Sequence, residues 1–567
     1  MFTRKLRLGV AAGWVASLLA ATPAISDGFS GAYLAARQAF SQNDYSEAAK
    51  YYTRALVNDP TNIELLENTI IAFLAKGDIE RALAVSRRLV GLEQDFPIAN
   101  MLLLVEAADA GNYDVAGTLL SNGEVAGPLV DGLALAWVLV GQGNMTNALA
   151  KFREVSQTPG SQSFGEYHRA LALAFVGDFE GADDILSGTT GASIPPTRRG
   201  IIAHAQILSQ LERNADAMAL IDTVNGNATD PALAAVREHL NAGETVPYTA
   251  VSSARDGLSE VFYGVAGALL GEANDGYTLL YTRVAEYLRD DHVDSILLTA
   301  QLLEQMGRYE LATAAYDRIS RADPSYHVAE LGRAEALRLS GNTDAAIEVL
   351  EQLSESHAQL PNVHVTLGND YRRLKRYGDA VKSYDRAVAL YGAPEPSHWL
   401  LYYTRGIANE RLDLWDQAEA DFRLALKLQP DQPQVLNYLG YSFVEMQVNL
   451  DEALSMIERA VQARPNDGYI TDSLGWILYR LGRYPEAVGH MERAAELMPV
   501  DPIINDHLGD VYWSVGRIRE AQFQWNRALS FEPEDVDATR IRRKLEVGLD
   551  LVLQEEGADP ISLADDG

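Results

Sequence analysis

A short phrase of small, aromatic and turn-forming residues returns about every 34 residues along this 567-residue chain. One copy carries Gly475 and Ala487, and the next copy carries Gly509 and Ala521 at the same positions. Self-similarity at this period is typical of stacked helical hairpins, in which each hairpin packs only on its neighbours. We therefore predict an all-α fold, a right-handed superhelical solenoid of about 13–14 hairpins.

The phrase also predicts how each hairpin closes. Gly475 in the first helix and Ala487 in the second are expected to meet where the helices cross, because small residues permit the shortest interaxial distances, about 8 Å. Gly482 supplies the turn between the two helices, and Pro499 ends the second helix.

The repeats divide the chain into segments. We place an N-terminal repeat segment at residues 27–224 and a C-terminal repeat segment at 254–533, on either side of an irregular junction at 225–253. A capping helix over 534–555 is expected to cover the last apolar face, and an acidic tail at 556–567 is expected to be disordered.

The beginning of the chain is typical of an exported protein. A basic start, an apolar run from Leu8 to Ala21 and small residues at Ala24 and Ser26 predict a secretory signal peptide over residues 1–26. An uncleaved N-terminal anchor is the alternative interpretation. Because the chain has no cysteine, it has no disulfide and no acceptor for a lipid. These features predict a soluble periplasmic protein that is not a lipoprotein.

The composition bears on the class of partner. The formal net charge is −32, and a field of that sign repels phosphate backbones and anionic membrane surfaces. We therefore expect protein or peptide partners, no nucleic acid and no integral membrane span, with electrostatic steering in favour of basic segments.

The sequence contains no motif for catalysis. It has no HExxH, no phosphate-binding glycine loop and no GxSxG elbow, and its ten histidines are not spaced as metal ligands. We predict a non-enzymatic protein with no catalytic residues, no metal and no cofactor.

A binding surface is predicted on the concave side of the last repeats. Counting so that Gly475 and Gly509 occupy position 8, the residues at positions 2, 5, 9 and 12 of each first helix face the groove. There, amides and carboxylates suit the backbone of an extended peptide, and aromatic rings suit its apolar side chains. The predicted protein-binding residues are Asn437, Tyr441, Tyr469, Asp472, Trp476, Tyr479, Asp506, Asp510 and Trp513. The alternative is that the aromatic residues pack between adjacent hairpins and never contact a ligand.

The phrase resembles the tetratricopeptide repeat over nearly all of the chain after residue 26. The runs Leu436–Ser442, Asp472–Trp476 and His507–Trp513 follow one another at repeat spacing and resemble large periplasmic repeat proteins of Gram-negative bacteria. One of these is the LbcA-type adaptor, which binds a carboxyl-terminal processing protease and presents cell-wall hydrolases to it. The resemblance implies a scaffold that links a protease to its substrates. Those adaptors are outer-membrane lipoproteins, whereas this chain lacks the lipidation cysteine.

Two functions follow from these observations. The first is a non-enzymatic periplasmic scaffold, or adaptor, that binds protein segments in its groove. The second is a structural subunit of an envelope assembly or of a polysaccharide or outer-membrane export complex, with contacts on the convex face and at residues 225–253.

Overall fold

The computed structural model describes residues 29–92, 96–122, 125–189, 191, 194–225 and 230–557. All regular structure in these residues is helical, with 31 α-helices and one 3-10 helix, which confirms the predicted all-α fold. Two compact units divide the chain, residues 1–349 and 350–567. The predicted signal peptide and the predicted tail beyond Gly557 lie outside the described residues. Among the helices of the described part, none combines the length and apolar character needed to cross a membrane.

The first unit consists of six hairpins, an additional helix and further hairpins; its last helix, α19, contains the boundary between the units. Its helices are α1 (Phe29–Ser41), α2 (Tyr45–Asn58), α3 (Ile63–Lys76), α4 (Ile79–Val90), α5 (Pro97–Asp109), α6 (Tyr113–Asn122), α7 (Pro128–Gly141), α8 (Met145–Ser156), α9 (Gln162–Phe175), α10 (Phe179–Leu186), α11 (Arg198–Gln210), α12 (Asn214–Asn225), α13 (Pro231–Asn241), α14 (Ala254–Leu269), α15 (Asp275–Leu288), α16 (Val293–Gln305), α17 (Tyr309–Tyr316), α18 (Tyr326–Leu339) and α19 (Thr343–Ser356).

The second unit consists of five hairpins followed by two C-terminal helices. Its helices are α20 (Pro361–Arg373), α21 (Tyr377–Tyr391), α22 (Trp399–Glu410), α23 (Trp415–Leu428), α24 (Pro433–Glu445), α25 (Leu450–Ala463), α26 (Gly468–Arg480), α27 (Tyr484–Leu497), α28 (Pro502–Ser514), α29 (Ile518–Ser530), α30 (Asp535–Val547) and α31 (Leu549–Glu555). The 3-10 helix, Pro396–His398, precedes α22. Over the described residues, 14 hairpins precede α30, in agreement with the predicted 13–14.

In each hairpin of the second unit, a glycine of the first helix lies against a large side chain of the second helix. A Cβ added at Gly509 would lie 2.4 Å from the indole of Trp525, and one at Gly475 would lie 2.3 Å from Met491 Sδ. The small residue of the first helix therefore makes room for the bulky residue four positions after the alanine of the second helix. Larger side chains at these glycines would overpack the hairpin.

Local polar chemistry sets the ends of the helices. The Asp501 side chain accepts the backbone N–H groups of Ile503 and Ile504 at the start of α28, so it satisfies donors that have no partner within the helix. Gly482 adopts a φ of 74° in the turn before α27. Asp413 adopts the same left-handed conformation, with a φ of 60°, where no glycine is present.

The region predicted as a junction, residues 225–253, lies inside the first unit, whereas the boundary between the units lies after Val349. Its helix α13 packs against α11 and α12. Leu233 and Leu240 of α13 share an apolar cluster with Ile201 of α11, so burial of these side chains attaches the region to the repeats before it.

In the first unit, helices α14 and α15 pack back against the early repeats. Helix α14 contacts α7 and α9, and α15 contacts α3 and α5, all of which are first helices of their hairpins. The contact is close, since a Cβ added at Gly257 of α14 would lie 2.2 Å from the ring of Trp137 in α7. Trp137 is fully buried, and its cluster includes side chains from both α7 and α14. The first helices of these early repeats are therefore covered by a later part of the same chain.

The C-terminal segment predicted as a single capping helix is two helices. Gly548 separates α30 from α31 with a φ of 86°, a conformation that favours glycine. The turn folds α31 back on α30, where Arg540 pairs with Glu556 and Arg543 pairs with Glu555.

Candidate protein-binding groove

The predicted binding residues lie on the first helices α24, α26 and α28 of the second unit. These helices are neighbours, since α26 contacts both α24 and α28. Their environments differ from one hairpin to the next. Some predicted residues line an open cavity, and others are taken up by contacts within the chain.

Trp476 of α26 lies mainly inside the protein, with 7% of its surface exposed. Its ring stacks on His507 with a centroid distance of 3.9 Å and on Tyr479 with a centroid distance of 4.8 Å. Its Nε1 donates a hydrogen bond of 2.8 Å to Glu445 Oε1. Tyr479 is equally buried. These contacts are the packing between hairpins that the alternative interpretation described.

Asp472 is engaged by the next hairpin. His507 Nδ1 lies 3.1 Å from both of its carboxylate oxygens. Burial opposes protonation of the His507 ring, but the neighbouring Asp472 carboxylate outweighs it and raises the pKa of His507 above its ordinary value. This buried pair joins α26 to α28.

Asp506 and Asp510 are occupied by the C-terminal helix. Lys544 of α30 is fully buried, and its Nζ donates to both carboxylates at 2.7–2.8 Å. Arg540 Nη1 lies 3.5 Å from Asp510, and Trp525 Nε1 donates to Asp510 Oδ1 at 2.9 Å. These two predicted binding residues are thus neutralised by cations of the same chain.

Trp513 also contacts the C-terminal segment. Its Nε1 donates to Asp550 Oδ2 at 3.0 Å, and its ring lies against Gly548, where an added Cβ would approach it to 2.7 Å. By contrast, Tyr469 at the start of α26 is 55% exposed.

Asn437 and Tyr441 of α24 line an open cavity of about 540 Å³. Asn437 Oδ1 is buried and has no hydrogen-bond partner within the part of the chain that the structure describes. Burial, together with Glu445 and Asp472, raises the pKa of Tyr441, so its hydroxyl stays neutral. An unpartnered acceptor beside a neutral phenol suits an N–H group of an incoming polypeptide.

The walls of this cavity are aromatic and acidic. Trp415 and Tyr438 contribute rings, and the Tyr438 hydroxyl donates to Glu410 at 3.2 Å. Glu410, Asp413 and Glu445 supply three carboxylates against the single guanidinium of Arg411. An excess of negative charge beside aromatic rings favours a cationic side chain, because both the carboxylates and the ring faces attract it. We call this cavity and its lining the open groove.

Sequence reasoning did not find eight residues that line the open groove, among them Glu410, Asp413, Trp415 and Tyr438. Glu410 ends α22, Asp413 lies in the turn, Trp415 begins α23, and Tyr438 is one position beyond the inward-facing Asn437. The signal that could have identified Glu410, Asp413 and Trp415 is the acidic and aromatic cluster from 410 to 415, which the inward positions of a single helix do not include.

No group of three or more His, Cys, Asp or Glu side chains in the described residues could hold a metal ion.

Comparisons with known proteins agree with the repeat. Models of the tetratricopeptide repeat match residues 33–95, 365–433 and 439–502, and a second such model matches residues 303–367. The chain contains tetratricopeptide repeats. This repeat forms scaffolds suited to binding proteins or peptides.

Two curated relatives are similar over part of their length. The chain is 28% identical over 171 residues to the TPR repeat-containing protein PA4667 of Pseudomonas aeruginosa, which is 30% of this chain and 28% of that protein. It is 24% identical over 168 residues to the human protein O-mannosyl-transferase TMTC1, which is 30% of this chain and 19% of that protein. The chain therefore spans less than a third of the length of either relative.

Solved structures of repeat proteins align with the chain at low similarity. The APC/C hetero-tetramer Cut9-Hcn1 aligns with a TM-score of 0.38 and 13% identity, covering 92% of this chain and 97% of that one. Yeast Tom70 aligns with a TM-score of 0.34 and 15% identity, covering 94% and 98%.

Proposed function

We propose that this chain is a non-enzymatic scaffold whose open groove holds an extended, basic protein segment. The observation that carries the proposal is the unpartnered Asn437 Oδ1, which lies buried in a cavity with excess negative charge. Leaving such an acceptor without a partner costs about 1–3 kcal/mol, so a segment that donates an N–H to it gains affinity. The carboxylates and rings around it favour a Lys or Arg side chain on the same segment.

The test begins with a random peptide library selected on the full chain and counter-selected on an Asn437→Ala, Tyr441→Ala double variant. Selected peptides should carry Lys or Arg, and their affinity, measured by fluorescence anisotropy, should fall with rising salt. Tyr441→Ala should weaken binding about 30-fold, which corresponds to about 2 kcal/mol for an aromatic anchor.

Phe523→Ala is the matched control, because Phe523 is a 65% exposed aromatic residue on the second helix α29, outside the open groove. It should leave peptide affinity unchanged. Selected peptides without basic residues, or equal losses in both variants, would contradict the proposal.

We further propose that the scaffold acts in the bacterial periplasm as an adaptor of a carboxyl-terminal processing protease. Support comes from the sequence resemblance described above and from a groove that suits protein segments. Purified protease should degrade a purified cell-wall hydrolase faster when the chain is present, and Tyr441→Ala should remove the acceleration. An unchanged rate would exclude the adaptor role while leaving the peptide selection as the test of the groove. Copurification with a membrane-embedded envelope complex would instead favour a structural subunit.

A further inference from the structure

A second cavity, of about 440 Å³, lies in the first unit where α15 and α17 meet the turn between α3 and α4. Its charged lining differs from that of the open groove. Three cations, Lys76, Arg283 and Arg318, face two carboxylates, Glu80 and Glu286. An excess of positive charge is notable in a chain of net charge −32. We call it the basic cavity.

Arg283 is buried but weakly bonded. Its Nε donates to Ala75 O and its Nη1 to Glu286 Oε2, each at 3.4 Å, the outer limit of a hydrogen bond. A guanidinium carries five N–H donors, so these two contacts leave Arg283 with unused donors at the cavity. Burial, together with the neighbouring Arg318 guanidinium, lowers the pKa of Arg283.

Arg199 of the same unit is a buried arginine with close carboxylate partners. It binds Glu260 through two nitrogens and donates to Asp294 at 2.7 Å through the third. Arg283 has no comparable set of acceptors among the described residues, although both side chains are largely buried.

The other charged groups of the basic cavity also leave hydrogen-bonding groups without partners. Lys76 is half-buried and has no carboxylate within ion-pair distance in the described part of the chain. Arg318 bonds to Glu286 Oε2, the oxygen that Arg283 also uses. Glu286 Oε1 is buried and has no partner among the described residues. The basic cavity thus offers unused cationic donors and one unused acceptor.

Gly77 permits this arrangement. It ends α3 with a φ of 91°, and a Cβ at this position would lie 3.2 Å from Arg283 Cζ. Because Gly77 has no side chain, the Arg283 guanidinium can approach the end of α3. There the negative end of the helix dipole stabilises its positive charge.

We propose that the basic cavity binds a carboxylate that has an N–H group next to it. Arg283 and Lys76 would take the carboxylate, and Glu286 Oε1 would accept the N–H. The C-terminal residue of a peptide has this chemistry, and so does a free amino acid. The cavity volume is within the range of about 300–1,000 Å³ of small-ligand sites.

The experiment is isothermal titration calorimetry of the full chain with acetyl-trialanine that has a free carboxylate. The C-terminal amide of the same peptide is the matched negative probe, and free alanine distinguishes the two sources of the carboxylate. We expect saturable binding of the acid and none of the amide. Equal or tighter binding of free alanine would support the chemistry and assign it to a free amino acid.

Lys76→Met tests the site without disturbing a bonded side chain, and it should weaken binding about tenfold through loss of one charge-assisted contact. Lys50→Met, on the exposed face of α2, is the control and should leave binding unchanged. Gly77→Ala should also weaken binding. Absence of saturable binding up to about 5 mM, equal binding of acid and amide, or an unaltered Lys76→Met affinity would each overturn the proposal.

Discussion

The two units build the same helical hairpin and differ in what covers its first helices. In the first unit, α14 and α15 pack on α3, α5, α7 and α9. In the second unit, the C-terminal helix α30 covers Asp506 and Asp510 of α28, and the open groove at Asn437 keeps a cavity of about 540 Å³. The repeat therefore determines the hairpin, while other helices of the same chain determine which of its first helices are covered.

The residues at the inward positions differ in the same way. Positions 5 and 9 of the repeat are Leu133 and Trp137 in α7, and both are fully buried. The same positions are Asn437 and Tyr441 in α24, which line the open groove. Apolar side chains there favour a covering helix, because burial removes them from water, and polar side chains favour an exposed surface.

The largest effect is expected when helix α30, which covers part of α28, loses the positive charge of Lys544. Lys544→Met should lower the free energy of unfolding of the second unit by about 3–5 kcal/mol, because it leaves two buried carboxylates without the cation that lies closest to both. Hydrogen exchange of α28 and α30 measures the change, and α7 should be unaffected.

Arg542→Ala is the control for this prediction. Arg542 is exposed on the same helix, and its removal should change the unfolding free energy of the second unit by less than about 0.5 kcal/mol. Equal effects of the two variants would show that α30 is held by general packing rather than by the Lys544 contact.

The stabilities of the two units should respond to acid in opposite directions, because each unit contains a buried histidine with a shifted pKa. Burial lowers the pKa of His168 to about 4, while Trp137 Nε1 donates to its Nδ1. The unfolded chain therefore binds a proton more readily, and the first unit should lose stability as the pH falls from about 6.5 to about 4, by about 3 kcal/mol in all. His168→Gln keeps an acceptor for Trp137 and should flatten this dependence.

His507 should act in the opposite sense. Because its pKa in the folded protein is raised, its pairing with Asp472 stabilises the second unit fully below about pH 6.5, and the contribution is lost as the pH rises through the raised value. His507→Gln should remove the dependence. Hydrogen exchange of α9 and α28 as a function of pH measures both effects, and a common sign in the two units would contradict this account.

A smaller effect is expected from overfilling the contact that covers the first unit. Gly257→Ala places a methyl group against Trp137 and should cost about 1–3 kcal/mol of the stability of the first unit. Gly267→Ala lies in the same helix with open space around it, and should instead stabilise α14 by about 0.5–1 kcal/mol. Thermal unfolding compares the two variants, and similar losses would mean that α14 is not seated closely on α7.

The smallest effect on stability is expected at Tyr469. Its side chain is 55% exposed, so Tyr469→Ala should change the unfolding free energy of the second unit by less than about 0.5 kcal/mol. Loss of peptide affinity in this variant would extend the open groove from α24 to α26. A large loss of stability would instead assign Tyr469 to packing between hairpins.

The sequence predicts the hairpins well because their signals are local. Spacing and turn residues alone indicate the 34-residue period, and the hairpins begin and end where capping residues such as Asp501 and turn residues such as Gly482 require. Spacing alone does not show how closely a large side chain of the second helix, such as Trp525, lies against the glycine of the first helix, such as Gly509.

The binding surface was predicted only as a set of positions. Nothing local to Asp506 or Asp510 indicates Lys544, which is more than 30 residues away in sequence. Whether a groove position is free depends on contacts between distant helices, and a repeat pattern carries no information about these. The predicted roles of the nine site residues in protein binding therefore remain predictions, with the contacts above to guide their test.

The most direct test of the central claim uses the absence of cysteine from the chain. A single cysteine at Asn437 and one at Leu133 occupy the same repeat position in the two units, and a small thiol reagent reports their accessibility. We predict rapid modification of Asn437→Cys and slow modification of Leu133→Cys, limited by local opening of the first unit. Equal rates at the two positions would contradict the claim that one groove is covered from within and the other is open.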